Sequence, residues 1–435
     1  GGDCLNTGCV PSKALIAAAA KAQAQRDGAA FGVAAREPEV DFGAVMDHVH
    51  GVIAAIAPHD SQERFEGLGV RVIRERGRFT GPREVEAGAA RIRARRFVIA
   101  TGSRPRTPDV PGLAETPHLT NETVFGLRTR PRRLVVLGAG PIGLELAQAF
   151  RRLGSEVVVL EPGRALAKED PELAAVALAR LRAEGVEIRE GATPARVERA
   201  GSAEDDGVRV ALADGGTVEG SHLLVAAGRT PTIEGLGLEA AGVETAKGAI
   251  TVDARLRTSN RKIFAIGDVT GGLQFTHAAG YDAGVVIRNA LFRIPAKASA
   301  AHMPWATYTD PEIAQAGLTE AAATAQGLTV ETIVWRFKDN DRAQAERDTD
   351  GMVKVVATPK GKVLGAGVVG PHAGELIQIW ALALSKGLTL KDLTGMIAPY
   401  PTLGEASKRA AGQFFAPKLF GPTARFVVRS LLKLG

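Results

Sequence analysis

The sequence predicts an α/β fold in which an open parallel sheet carries helices on its faces, followed by a separate α+β domain. Three observations lead there. Strand-like runs alternate with helical segments through the middle of the chain, a glycine-rich turn joins the first strand of that alternation to its helix, and beyond about His302 the pattern changes to a β-hairpin followed by helices.

The elements follow in order. The chain opens in a loop-like GGDCLNTGC that begins with glycine, so a preceding segment is expected to be missing, and with it any targeting peptide. Pro11 suits the first turn of a helix, and the alanine-rich run Ala14 to Ala24 continues it. RRFVIATG (Arg95 to Gly102) reads as a strand. LVVLG (Leu134 to Gly138), a helix through Leu144 to Leu153, VVVLE (Val157 to Glu161) and a helix from about Pro171 to Glu184 form a βαβ unit, which LLVAAGR (Leu223 to Arg229) closes. KIFAIGD (Lys262 to Asp268) brings a charged residue to the carboxyl end of a strand, where open α/β sheets place ligands. MVKVVATPKGKVLGAGVVG reads as two strands around a turn from Pro359 to Lys362, with a helix from Ala373 to Ser385 after it. The final segment, TARFVVRSLLKLG from Thr423, has apolar residues at helical spacing and Arg425, Arg429 and Lys433 on another face. Such a basic amphipathic helix can pack on its own dimer, the favoured reading, or touch a membrane surface.

Composition narrows the function classes. The 435 residues hold 54 Lys and Arg against 48 Asp and Glu, and a net charge of +6 spread over so large a surface favours anionic small ligands over nucleic acid. The basic runs Arg91 to Arg96 and Arg128 to Arg133 each lead into a hydrophobic strand and read as solvated strand entries. Only Cys4 and Cys9 are present, which excludes a disulfide scaffold and a thiolate-rich metal centre. No apolar run reaches the roughly 18 residues that span a bilayer, so a cytoplasmic protein is expected.

Two motifs carry chemistry. Gly138-Ala139-Gly140-Pro141-Ile142-Gly143 fits G-x-G-x-x-G between a strand and a helix, with Glu161 at the end of the next strand, 23 residues beyond Gly138. The glycines let backbone approach a pyrophosphate at the helix N-terminus, and Glu161 can accept from the ribose hydroxyls while repelling a 2'-phosphate. NAD is therefore favoured over NADP, although Arg164 weakens the preference. Cys4 and Cys9, by spacing alone, read equally as inert thiols or as a redox pair. Their setting favours the redox pair, because Cys9 would lie near a positive helix terminus with Lys13 beside it, and both stabilise a thiolate.

GGDCLNTGCVPSK resembles the redox-active disulfide signature of the class I pyridine nucleotide-disulfide oxidoreductases, the dihydrolipoamide dehydrogenase, glutathione reductase and mercuric reductase group. FVIATGSRPRTPDVPG is similar to the family's ATG segment, KIFAIGDVTG to its second flavin segment, and TYTDPEIAQAGLTE to the opening of its dimerisation domain. The resemblance covers essentially the whole chain. It implies two Rossmann-like dinucleotide-binding domains, for FAD and NAD, plus a C-terminal α+β dimerisation domain. FAD segments are expected at 1–115 and 233–300, an NAD domain at 116–232, a dimerisation domain at 301–416 and a basic tail at 417–435. The family's first βαβ unit, on the order of 40 residues, would precede Gly1. The resemblance makes Cys9 the thiol that faces the flavin and Cys4 the interchange thiol, with Lys13 and Glu145 as an ion pair near flavin and nicotinamide. Asp268 resembles the carboxylate that binds the FAD ribitol, and Ala100, Thr101, Gly102, Gly228, Gly267 and His277 are placed with it among the cofactor-binding residues. Electrons are expected to pass from NADH through FAD to the Cys4/Cys9 disulfide and on to an acceptor, in a homodimer with two shared sites.

The departures bear on the acceptor. Disulfide reductases of the family carry a histidine, oriented by a glutamate, that moves the proton in thiol exchange; here the stretch reads Tyr400-Pro401-Thr402-Leu403-Gly404-Glu405. A phenol is protonated at neutral pH and is a poor base. Mercuric reductases share the tyrosine but end in a cysteine pair that this chain lacks. A mercuric-reductase-like acceptor leads. A lipoamide-type thiol-disulfide oxidoreductase, a quinone or oxygen diaphorase, and a flavin-free scaffold remnant stay open.

Overall fold

The structure, a computed structural model, describes residues 2–201 and 207–433. Gly1, residues 202–206 and the last two residues of the expected tail lie outside the described residues. The chain divides into two compact units, Gly1–Arg164 with Glu184–Ala300, and Ala165–Ala183 with Ala301–Gly435.

In the first unit the strands His222–Val225, Arg133–Leu137, Glu156–Glu161 and Val186–Glu190 form, in that order, a four-stranded parallel sheet. Leu134, Val135, Val136, Val159 and Leu160 are fully buried, as a parallel sheet covered on both faces requires. The helix Pro141–Arg152 follows the first of these strands in sequence and buries nine of its twelve residues. A second parallel pair joins Phe97–Ile99 to Ile263–Ala265. Both strands are shorter than the sequence pattern predicts, and Val98 is 47% exposed on the pair. The first part of the basic run Arg91 to Arg96 is a strand of its own rather than the entry to Phe97–Ile99: in the hairpin Glu84–Ala87/Ala90–Arg93, Arg91 pairs with Glu86 at 3.1 Å and Arg93 with Glu84 at 2.7 Å, directly across the ladder. This hairpin and the antiparallel strands Pro194–Ala200, Gly207–Leu212 and Thr217–Gly220 were not legible as separate elements.

The second unit is built on a five-stranded antiparallel sheet ordered Pro304–Thr307, Glu312–Gly317, Val363–Gly370, Met352–Ala357, Glu331–Arg336. The expected helix from Ala373 to Ser385 is broken into Ala373–Leu376 and Gln378–Lys386, with Ile377 at the junction. The break turns Trp380 fully into the core, where its indole N–H donates to Ser407 Oγ at 3.1 Å. Helix Pro171–Ala183 lies in sequence between two strands of the parallel sheet, yet it belongs to this unit. At its start, Asp170 and Glu172 hold Lys354 of the sheet at 3.1 and 2.6 Å. Among the described residues no helix is long and apolar enough to cross a membrane.

Candidate active site

The loop that carries both cysteines is pinned by close backbone approach. Asp3–Asn6 makes one helical turn and Cys9–Arg26 a long helix, with Gly8 between them. A Cβ on Gly8 would stand 3.0 Å from the Asp3 carbonyl oxygen and 3.2 Å from the Cys4 Cα, so a side chain there would force the two turns apart. Asp3 accepts from Thr7 Oγ1 at 2.6 Å and from Asn121 Nδ2 at 3.2 Å, and it pairs with Arg229 at 2.8 Å.

Both cysteines are free thiols, Cys4 half-buried and Cys9 exposed. Cys9 hydrogen-bonds to Cys4, and its Sγ lies 3.6 Å from Thr276 Oγ1. The hydrogen bond from Cys9 draws the Cys4 thiol down from 9.0 to about 6, against the opposing effect of burial. The same bond, with Cys9 as donor, pushes Cys9 well up. The pair thus holds one readily lost proton, and the Lys13 charge still favours a thiolate at Cys9, as the sequence leads one to expect. Lys13 also pairs with Glu145: Nζ is 2.6 Å from that carboxylate, whose side chain is 6% exposed. Lys13 and Glu145, 132 positions apart in sequence, are thus brought together by the packing of their two helices.

The glycine fingerprint has the geometry a dinucleotide requires. Gly138 has φ +105°, and a Cβ there would stand 2.6 Å from the Ala226 carbonyl oxygen; a Cβ on Gly143 would collide with the Gly138 carbonyl. A Cβ on Gly140, which caps the helix Pro141–Arg152, would meet nothing within 4 Å, so backbone there is open to a pyrophosphate. The Glu161 carboxylate accepts from the Ala139 and Gly163 amides, each at 2.9 Å, which fixes it at the strand end beside the glycine turn, where a carboxylate can accept from ribose hydroxyls. Gly228, at φ +105°, leads into Arg229.

A third cluster gathers at the carboxyl ends of the short parallel pair. Ser103 Oγ donates to Asp268 Oδ2 at 2.6 Å, and Arg229 Nε donates to Ser103 Oγ at 2.7 Å. Gly267 turns at φ +68°, and its amide donates to Asp282 at 3.1 Å, a carboxyl that burial pushes up. Ala100 and Thr101 are exposed beside Gly102, which turns at φ +68°, and Thr101 Oγ1 donates to the Thr232 carbonyl at 2.7 Å. His277, exposed, stacks on Phe275 with ring centroids 5.3 Å apart. An acidic side chain and an open glycine turn at strand ends fit the polyol and phosphate chemistry of FAD.

In the second unit Tyr400 and Glu405 hydrogen-bond to other partners, although the Glu405 charge adds to the rise of the Tyr400 phenol. Tyr400 Oη donates to Asp341 Oδ2 at 2.8 Å, and this bond raises the phenol above its usual range. Glu405, at the start of the helix Glu405–Gln413, is bound to Arg409 at 2.6 Å. Sequence reasoning missed Asp341, 59 positions from Tyr400, and nothing local announces it. It also missed Arg229, Thr276 and Asp282. Arg229 alone left a signal, as the charged last residue of the run Leu223 to Arg229 read as closing the βαβ unit, although the strand itself ends at Val225 and Arg229 opens the strand Arg229–Pro231. Among the described residues no group of three or more His, Cys, Asp or Glu could hold a metal ion.

A dinucleotide turn, a thiol pair and a second strand-end carboxylate in one chain define a flavin-dependent pyridine nucleotide-disulfide oxidoreductase. The chain belongs to that family: residues 1–283 match the pyridine nucleotide-disulphide oxidoreductase model and residues 303–411 its dimerisation domain. It is 37% identical over 420 residues to a mercuric reductase of Lysinibacillus sphaericus, across 95% of this chain and 76% of that one. It is 33% identical to a dihydrolipoyl dehydrogenase of Geobacillus stearothermophilus, across 94% of this chain and 88% of the relative. The crystal structure of LpdA from Mycobacterium tuberculosis superposes with a TM-score of 0.87 at 30% identity, covering 95% of this chain and 91% of that one. Membership of the family brings FAD and NAD(P) as cofactors.

Proposed function

We propose that the protein is an NADH-dependent reductase of a thiophilic metal cation, Hg(II) being the type substrate, acting through Cys4 and Cys9. The observation that carries this reading is Tyr400, whose phenol donates to Asp341 and is held protonated. Reducing a disulfide acceptor delivers two protons with two electrons and calls for a base and acid of pKa near 7. Reducing a divalent metal cation to the element takes two electrons and no proton, so a neutral phenol is no handicap. FAD, when bound, supplies the passage of a hydride's two electrons from NADH. The chain's own residues do the rest: Glu161 selects the nucleotide, Lys13 and Glu145 fix a charged pair beside the thiols, and the Cys4 thiolate ligates the cation. The similarity to mercuric reductases supports the substrate class. The lipoamide-type reading is the second, supported by the similarity to the dihydrolipoyl dehydrogenase.

The proposal includes the domain division expected from sequence, with FAD segments at 1–115 and 233–300 around an NAD domain at 116–232. It also includes a homodimer formed through the dimerisation domain, in which Tyr400 and Glu405 serve the partner subunit's thiols. The test is steady-state NADH oxidation by the FAD-loaded protein with Hg(II) in excess thiol, lipoamide, glutathione disulfide and quinones as acceptors. Turnover with Hg(II) well above that with lipoamide is expected. The opposite ranking would replace this reading with the lipoamide-type one.

A further inference from the structure

The chain's charge and its exposed apolar surface converge on one short element. The helix Pro422–Leu431 has no buried residue. Val428, Leu431 and Leu432 are 55%, 57% and 75% exposed, and with Ala424 and Val427 they line one side of it. Arg425, Arg429 and Lys433 line the adjoining side, and among the described residues no carboxylate pairs with Arg425 or Arg429. Leu419 and Phe420, just before the helix, are 64% and 69% exposed, and Phe426 is 72% exposed. After Glu405 the chain holds six lysines and arginines and no acidic residue, against a net charge of +6 for the whole protein.

We infer that this helix is a docking element for an anionic lipid surface. An apolar face flanked by a row of cations is the pattern that lies in a bilayer interface, apolar side down and cations among the headgroups. A second copy of the chain is the other candidate to cover the face, and two observations argue against it. The match to the family's dimerisation domain ends at residue 411, before the helix begins. In an isologous contact the same patch meets itself, which would set the three cations against their own copies. The charge complement that the helix lacks is negative, and a bilayer rich in acidic headgroups supplies it across the whole row.

The experiment is co-sedimentation of the FAD-loaded full chain with vesicles of phosphatidylcholine alone or mixed with phosphatidylglycerol, at low and at physiological salt. Binding to the mixed vesicles that weakens with salt, and little binding to phosphatidylcholine alone, is expected. A cation near such a surface is worth about fivefold in partitioning, so neutralising three of them in R425Q/R429Q/K433Q should weaken binding about 100-fold. V427D/L431D, which spoils the apolar face and keeps the cations, should weaken it as well. Equal binding to both kinds of vesicle, or either variant binding as the wild type does, would overturn the inference. So would sedimentation velocity in which V427D/L431D turns dimers into monomers, because the face would then be covered by a second copy.

Discussion

Removing the Cys9 thiol should move Cys4 toward ordinary thiol behaviour, because its strongest hydrogen-bond donor is lost. In the reduced protein the Cys9 thiol is the strongest of the donors, with Thr276 and the backbone of residue 9, that draw the Cys4 pKa down to about 6, and 9.0, its value with none of them, bounds the change from above. At pH 7 these values correspond to thiolate fractions of about 90% and about 1%, a drop of at most about 90-fold in the reacting form in Cys9→Ala. A thiolate of higher pKa is also the better nucleophile, and a slope of about 0.45 over three pH units returns about 20-fold. The net loss of alkylation rate at pH 7 is then at most about fivefold, so the rate at one pH is a poor test and the midpoint of the pH profile is the good one. The assay is iodoacetamide alkylation of the dithiothreitol-reduced protein from pH 4 to 10, with the modified cysteine identified by mass spectrometry. The sign is that of a depressed acid: reactivity is present above the midpoint and disappears as pH falls through it. A wild-type midpoint near 6 that moves up toward 9.0 in Cys9→Ala is expected. A wild-type midpoint above 8, or modification chiefly at Cys9, would refute the assignment of the shared proton to Cys9.

Three further outcomes follow. Lys354, its side chain 8% exposed, holds Asp170, 6% exposed, at 3.1 Å, so Lys354→Met leaves a buried carboxylate without its cation and should cost about 3–5 kcal/mol in urea unfolding. Burial opposes the Lys354 charge, but the bonds to Glu172 and Asp170 outweigh it and push the amine up to about 12; the stability it contributes is therefore full below its ordinary 10.5 and is lost as pH rises through about 12. Tyr400→His should raise lipoamide turnover by about 10²-fold, with Asp341 positioned to orient the imidazole, and an unchanged or slower variant would count against the argument from the phenol. NADH should exceed NADPH in kcat/KM, and Glu161→Ala should narrow the ratio; a wild-type preference for NADPH would mean that Arg164 or another cation prevails over Glu161.

Local patterns made much of this molecule readable. The βαβ alternation from Leu134 to Glu161, the fingerprint glycines and the hairpin around Pro359 to Lys362 are set by side-chain period and turn chemistry within a few residues, and the structure has them close to the expected bounds. Family resemblance went further and singled out Lys13 and Glu145, which meet at 2.6 Å across two helices. What stayed hidden depends on tertiary contact. The mutual hydrogen bond of Cys4 and Cys9, and the contact of Cys9 with Thr276, come from folding and leave no mark in the spacing of the two cysteines. Asp341 takes the Tyr400 hydroxyl because folding brings an unrelated helix start beside it, and Glu405 is drawn off by Arg409, one turn along its own helix. Helix Pro171–Ala183 followed the expected pattern, yet its partner is Lys354, about 180 positions on, and no periodicity could announce that pairing.

The central claim is that electrons leave the enzyme through Cys4, and Cys4→Ser tests it most directly. The measurement is the rate of flavin bleaching by NADH under anaerobic stopped flow, set beside steady-state NADH oxidation with Hg(II) in excess thiol, for wild type and variant. Bleaching at the wild-type rate with loss of nearly all acceptor turnover is the predicted result. Acceptor turnover that survives in Cys4→Ser would contradict the account, and equal loss of bleaching and turnover would show that Cys4 serves the fold rather than the chemistry.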